Sequence, residues 1–249
     1  MKTLLAALLV VAGCIPCAGA APLAEVQVID RTTGQTLETW RHRGRLYVAG
    51  TPGNRYAVSL RNRSDGRVLT VVSVDGVNAI SGETANASQS GYVLAPGQTA
   101  EIAGWRKSLD EVAAFYFTRI ADSYAARTER PQNVGVIGVA VFNEYVPPPP
   151  AQIGAQEKAE ASADNTARSA ARAAAAPAAE AKLGTGHGER IAARVGTTEF
   201  RRQSTQPDEV ITIYYDSRAN LIARGIIPGA PRYGHPNPFP GGFVPDPKG

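Results

Sequence analysis

Between residues 24 and 145 apolar and polar positions alternate in short runs, and turn residues interrupt them every few positions. The clearest run is 67–82, RVLTVVSVDGVNAISG. Asp75-Gly76 stands between two apolar arms, and an Asp-Gly pair supplies the positive φ angles of a two-residue type I′ hairpin. That turn sets Val74 opposite Val77, Val72 opposite Ala79 and Val71 opposite Ile80. Val68, Val72, Val74, Val77 and Ala79 then share one face, and Leu69, Val71 and Ile80 the other. Both faces are apolar, so the hairpin is predicted to be central and covered on both sides.

Further strands are predicted over 24–30, 36–40, 45–48 and 56–61, where Tyr56, Val58 and Leu60 alternate with Ala57, Ser59 and Arg61. Others follow over 92–94, 99–105, 112–120 and 134–145, separated by turn clusters at 62–66, 82–91 and 96–97. Ser108-x-x-Glu111 has the spacing of a helix capping box. Residues 122–130 have helix-compatible composition and end before Pro131. The pattern as a whole predicts a mainly β fold, an antiparallel β-sandwich, with a β-barrel as the alternative.

Pro147 to Pro150 closes this domain, 22–146, because four prolines cannot enter a ladder. Residues 147–183 read as a Pro/Ala-rich, partly helical linker without the Leu or Ile repeat of a coiled coil. Strand character returns over 184–227, entered by the glycine-rich stretch 184–188. Residues 191–200, 210–215 and 221–227 are its predicted strands. This small β unit is expected to dock on the sandwich or on a partner, since so few residues are marginal alone. Residues 228–249 are Pro- and Gly-rich and read as a disordered tail.

The first 20 residues read as a signal peptide: Lys2, an apolar run over 3–13, and Ala18-Gly19-Ala20 as a small-x-small cleavage site. An alternative lies in Val11-Ala12-Gly13-Cys14, which has the form of a lipoprotein box with Cys14 as the acylated residue. The expected location is therefore periplasmic or secreted, or lipid-anchored in the envelope if Cys14 is acylated. No transmembrane segment is expected in the mature chain. Both cysteines, Cys14 and Cys17, lie in the signal; with cleavage after Ala20 the mature chain has no thiol for a disulfide, a nucleophile or a metal.

Composition changes this picture little. A hydrophobic fraction of 43% supports a core, and a net charge of +4 is spread along the chain. Nucleic acid is not an expected partner, because no basic face stands out. Arg41, His42, Arg43 and Arg45, with Arg61, Arg63 and Arg67 further on, read as a solvated strand edge. His42, His187 and His235 fall in three separate regions, and no metal or cofactor is expected. Asp65, Asp75 and Asp110 sit where turns favour Asp for backbone reasons. No Gly-x-Ser-x-Gly elbow occurs. Trp40, Tyr92, Trp105 and Tyr116 read as core before they read as a sugar platform.

The segments VVSVDGVNAISG (71–82), GYVLAPGQTAEIAGWRKS (91–108), NVGVIGVAVF (133–142) and YYDSRANLIARGII (214–227) resemble an uncharacterised family of exported proteobacterial proteins. The resemblance implies export. It carries no activity and no functional residue. The reading that follows is a non-enzymatic exported module that binds or scaffolds at the cell envelope, its partner an envelope protein or glycan. An envelope glycan or ester hydrolase, and an outer-membrane lipoprotein with a structural role, are the alternatives.

Overall fold

The computed structural model of the protein describes residues 21–148 and 182–229. The signal with Cys14, nearly all of the linker, and the tail with His235 lie outside the described residues. Among those described, the strands in chain order are β1 (Ala24–Asp30), β2 (Gln35–Thr36), β3 (Thr39–His42), β4 (Arg45–Gly50), β5 (Arg55–Asn62), β6 (Val68–Val74) and β7 (Val77–Asn78). They continue with β8 (Tyr92–Leu94), β9 (Thr99–Ile102), β10 (Gly104–Arg106), β11 (Glu111–Arg119), β12 (Val136–Asn143), β13 (Leu183–Ala192) and β14 (Glu209–Ser217). Two short helices are α1 (Tyr124–Arg127) and α2 (Arg218–Ala223).

The strands form a β-sandwich. One sheet runs β10-β11-β5-β1-β2, with β13 along β11 and β9 on β5. The other runs β3-β4-β14-β12-β6-β7, with β8 on β6. Neither closes into a barrel. Every ladder is antiparallel except β4 with β14, which join in parallel. The Asp-Gly hairpin has the expected register at its tip, with Val74 opposite Val77, and φ is +54° at Asp75 and +75° at Gly76. The second arm ends at Asn78, whose Oδ1 accepts from the N–H of Ile80 and Ser81 and turns the chain away, so the expected Val71–Ile80 pair does not form and β8 pairs with β6 further along. Val68, Val72, Val74, Val77 and Ala79 enter the core between the sheets, while Leu69 and Val71 pack in a separate cluster outside. Tyr56 stacks on Phe117 at 4.2 Å between ring centroids in that core, and Trp105 meets Phe115 edge-on at 4.7 Å. Burying each such side chain is worth about 1.5–3 kcal/mol.

Several local expectations change. Ser108 starts no helix: its Oγ accepts from the N–H of Asp110 and Glu111 and turns the chain into β11, whose apolar residues need ladders on both sides. The stretch 36–40 is not one strand, because β2 and β3 belong to different sheets. The glycine-rich 184–188 is no loop. It lies inside β13, where a Cβ on Gly186 would stand 2.2 Å from Tyr116 Cζ and one on Gly184 2.6 Å from Ser123 Cβ. Glycine here permits close approach.

Of the strands expected over 184–227, 191–200 is not one: β13 ends at Ala192 and 193–200 joins no ladder. The two strands present part company, since β13 joins the first sheet and β14 lies between β4 and β12 in the second. Residues 221–227 do not return as a strand. Ser217 Oγ accepts from Asn220 N–H at 3.1 Å, α2 follows, and Gly225 at φ +68° ends it. The helix buries Leu221 and its exit buries Ile226 and Ile227 against Tyr47. Ser217→Ala removes the cap and is expected to cost about 1 kcal/mol in urea unfolding. Stability equal to that of the parent chain would refute this role for the serine.

Candidate functional site

Two arrangements carry polar chemistry. The first is buried. Asp75 occupies the hairpin turn, yet it has no exposed surface. Its carboxylate accepts from Gly135 N–H at 2.9 Å, from Thr185 N–H at 2.7 Å and from the Tyr215 hydroxyl at 2.5 Å. Thr185 Oγ1 lies 2.6 Å from the Tyr215 hydroxyl and 2.5 Å from the Tyr56 hydroxyl. Each hydroxyl has one proton, so the direction of the chain follows by counting. Tyr215 donates to ionised Asp75, Thr185 donates to Tyr215, and Tyr56 donates to Thr185.

Burial pushes the Asp75 carboxyl up to about 6, against the bonds it accepts. Burial, and then the charge of Asp75, lift both phenols well above the ordinary tyrosine range. The chain joins β5 and β13 of one sheet to the β6–β7 turn and β14 of the other. It ties the layers together. The surface hollows described next are lined by none of its four residues.

The second arrangement lies on the outer face of the other sheet, at its β3 edge. The register sets Trp40 opposite Tyr47 and Tyr47 opposite Tyr214, an aromatic row across three strands. The Tyr47 and Tyr214 rings are 5.5 Å apart. The Arg45 guanidinium stands 5.5 Å from the centre of the Tyr214 ring, and that of Arg224 stands 5.7 Å from the centre of Tyr47. The β3–β4 turn is built on Arg43 at φ +48° and Gly44 at φ +76°. A hollow of about 620 Å³ opens on one side of Arg45, lined by His42, Arg43, Tyr47 and Arg224 among others. A second, of about 310 Å³, opens on the other side against Arg41, Val210 and Tyr214. No carboxylate lines either one. Asp216 approaches Arg224 at 3.5 Å but is buried, and its Oδ1 accepts from Ser217 N–H and from Asn220 Nδ2.

The residues singled out in the sequence scatter. Arg41, His42, Arg43 and Arg45 gather at this edge, whereas Arg67 is clasped by Glu144 and Arg63 pairs with Glu25. Trp40 joins the aromatic row. Trp105 is fully buried, and Tyr92 and Tyr116 lie on other strands, so the four aromatics form no platform. His187 packs against Trp105 and Tyr124, where burial and then the Lys107 charge lower its pKa. Asp110 pairs with Arg194 at 3.1 Å. Among the described residues no group of His, Cys, Asp and Glu converges as a metal site, and no helix is long and apolar enough to cross a membrane. A third hollow holds two carboxylates, Glu144 and Glu199, beside Arg67 and Phe200. Arg67 lowers the Glu144 pKa by direct hydrogen bonding, the wrong direction for the acid of a hydrolytic pair.

Sequence reasoning missed Tyr47, Tyr214 and Arg224 at the edge, and Thr185 and Tyr215 in the interior. Their partners are distant in the chain, and only the β4–β14 and β11–β13 pairings bring them together. No protein-family model, curated protein or solved structure matches the chain.

Proposed function

We propose that the protein is a non-enzymatic exported module of the cell envelope, periplasmic or secreted, that binds its partner through the furrow beside β3. The supporting observation is the furrow itself: four arginines and a histidine, on the β3–β4 hairpin and at the end of α2, around tyrosine rings, with no carboxylate lining it. Such a surface holds an anionic partner by charge-assisted hydrogen bonds and offers no acid–base pair or nucleophile to transform it. The outward position on a rigid sheet suits binding, and the polar chain in the core is sealed from ligand.

The test has two arms. Osmotic-shock fractionation of a bacterial host expressing the full chain is expected to release a protein that begins at Ala21. Acylated Cys14 marks the lipid-anchored form, and an uncleaved chain in the cytosol contradicts export. Isolated cell envelopes are expected to retain the purified chain, and Arg45→Gln to weaken retention about tenfold, the scale of one charge-assisted hydrogen bond. Loss of retention by the parent chain, or steady release of glycan fragments, refutes the reading.

A further inference from the structure

We infer that the furrow takes an acidic saccharide of the uronate type, its carboxylates on Arg43 and Arg45; the inference rests on the binding role proposed above. Three observations carry it. The first is uncompensated charge. Among the described residues Arg41, Arg43 and Arg45 have no carboxylate within ion-pair distance, while Arg55, Arg67 and Arg190 lie on Glu189, Glu144 and Glu111. A guanidinium matches a carboxylate with two parallel hydrogen bonds, which fits a planar acid group better than a point charge.

The second is backbone strain at Arg43. The first central position of a type I′ turn favours Asn, Asp or Gly, and here an arginine is held at φ +48°. A residue kept in a conformation it disfavours is a pointer to use of its side chain. The third is the apolar surface between the charges. Val210 is 61% exposed and lines the smaller hollow with Ile211, Tyr214 and Arg45. Sugar rings present C–H faces to such surfaces while their acid groups reach the arginines. An acidic peptide would instead be expected to pair with the free backbone edge of β3. The hollows are lined by the β3–β4 turn, by residues 210–212 of β14 and by the exit of α2, and triglutamate in the titration separates the peptide from the saccharide.

The experiment is titration calorimetry of the exported chain with trigalacturonate, using cellotriose, triglutamate and inorganic phosphate as comparison probes. Binding of trigalacturonate that exceeds each comparison probe at least tenfold, and that weakens as salt rises from 50 to 300 mM, is expected. Arg43→Asn is expected to lower the affinity at least fivefold and to raise the thermal midpoint, because Asn suits the turn better. A purely structural arginine would not give these opposite signs. Equal or tighter binding of cellotriose, triglutamate or phosphate overturns the inference, as does no binding of trigalacturonate. If envelopes retain the chain while trigalacturonate does not bind, the saccharide class is wrong and the binding role stands. If envelopes do not retain the chain, the binding role itself is wrong.

Discussion

Asp75→Ala lowers the stability of the sandwich by about 4 kcal/mol or more, close to the whole stability of many domains. Three donors point at this carboxylate: two backbone N–H groups and the Tyr215 hydroxyl. Each buried donor left without an acceptor costs about 1–3 kcal/mol. Alanine also resists the positive φ of this position, at about 1–2 kcal/mol. Asp75→Asn keeps the turn and one acceptor oxygen, so its cost should be nearer 2 kcal/mol.

The two variants separate geometry from charge through pH. The folded carboxyl titrates at about 6, above its unfolded value near 4, because burial disfavours its ionised form. Folding therefore favours the protonated group. Its contribution is full below pH 4 and is lost as pH rises through 6, amounting to roughly 3 kcal/mol for a shift of about two units. The useful quantity is the difference between parent and Asp75→Asn in urea unfolding at pH 4.5 and 7.5, in which contributions common to both chains cancel. That difference should be larger at the lower pH. Equal differences at both values would remove Asp75 as the buried acid.

Gly104→Ala is the second large effect. A Cβ at this position would lie 2.1 Å from the carbonyl oxygen of Ala113 and 2.6 Å from its carbon, both backbone atoms of β11. No side chain can swing away to make room. The β10–β11 ladder, in which Gly104 faces Ala114, must part, and Trp105 moves with it. A loss of about 3 kcal/mol is expected, at the upper end of overpacking costs. Gly138→Ala is the control. Its nearest neighbour is 3.8 Å away, and alanine in a strand carries a smaller entropy cost than glycine. Thermal unfolding should show the first variant far below the parent and the second at or above it. Similar midpoints for the two would mean that β10 is not held as described.

The hairpin shows how much of this was legible. Asp-Gly, with apolar arms on both sides, gave the register of the tip and the core face from local chemistry alone, whereas the second arm, read as running on to Ile80, stops at Asn78. The same alternation held a hint about Asp75, since a hairpin covered on both faces carries its turn into the interior. A turn aspartate has a sufficient local explanation, however, and its partners Thr185 and Tyr215 come from distant strands. The β3–β4 turn was harder to see because Arg-Gly is a poor type I′ pair. Residues 221–227 look apolar enough for a strand, and the helix was written instead in Ser217, Asn220 and Gly225. Gly184 to Gly188 read as a loop because no sequence shows the ring of Tyr116 that needs the space. Arg41 to Arg45 were legible as an edge, while the aromatic row behind them depends on a parallel pairing between β4 and β14.

The proposed division of labour between a structural core and a binding edge is open to one direct measurement. Affinity for trigalacturonate is compared by calorimetry for the parent, Asp75→Asn and Arg45→Gln, each below its unfolding transition. The expected result is that Asp75→Asn, though less stable, binds within about twofold of the parent, while Arg45→Gln keeps its stability and loses about tenfold in affinity. The reverse, with binding lost at Asp75 and untouched at Arg45, would contradict the assignment of the outer furrow as the site.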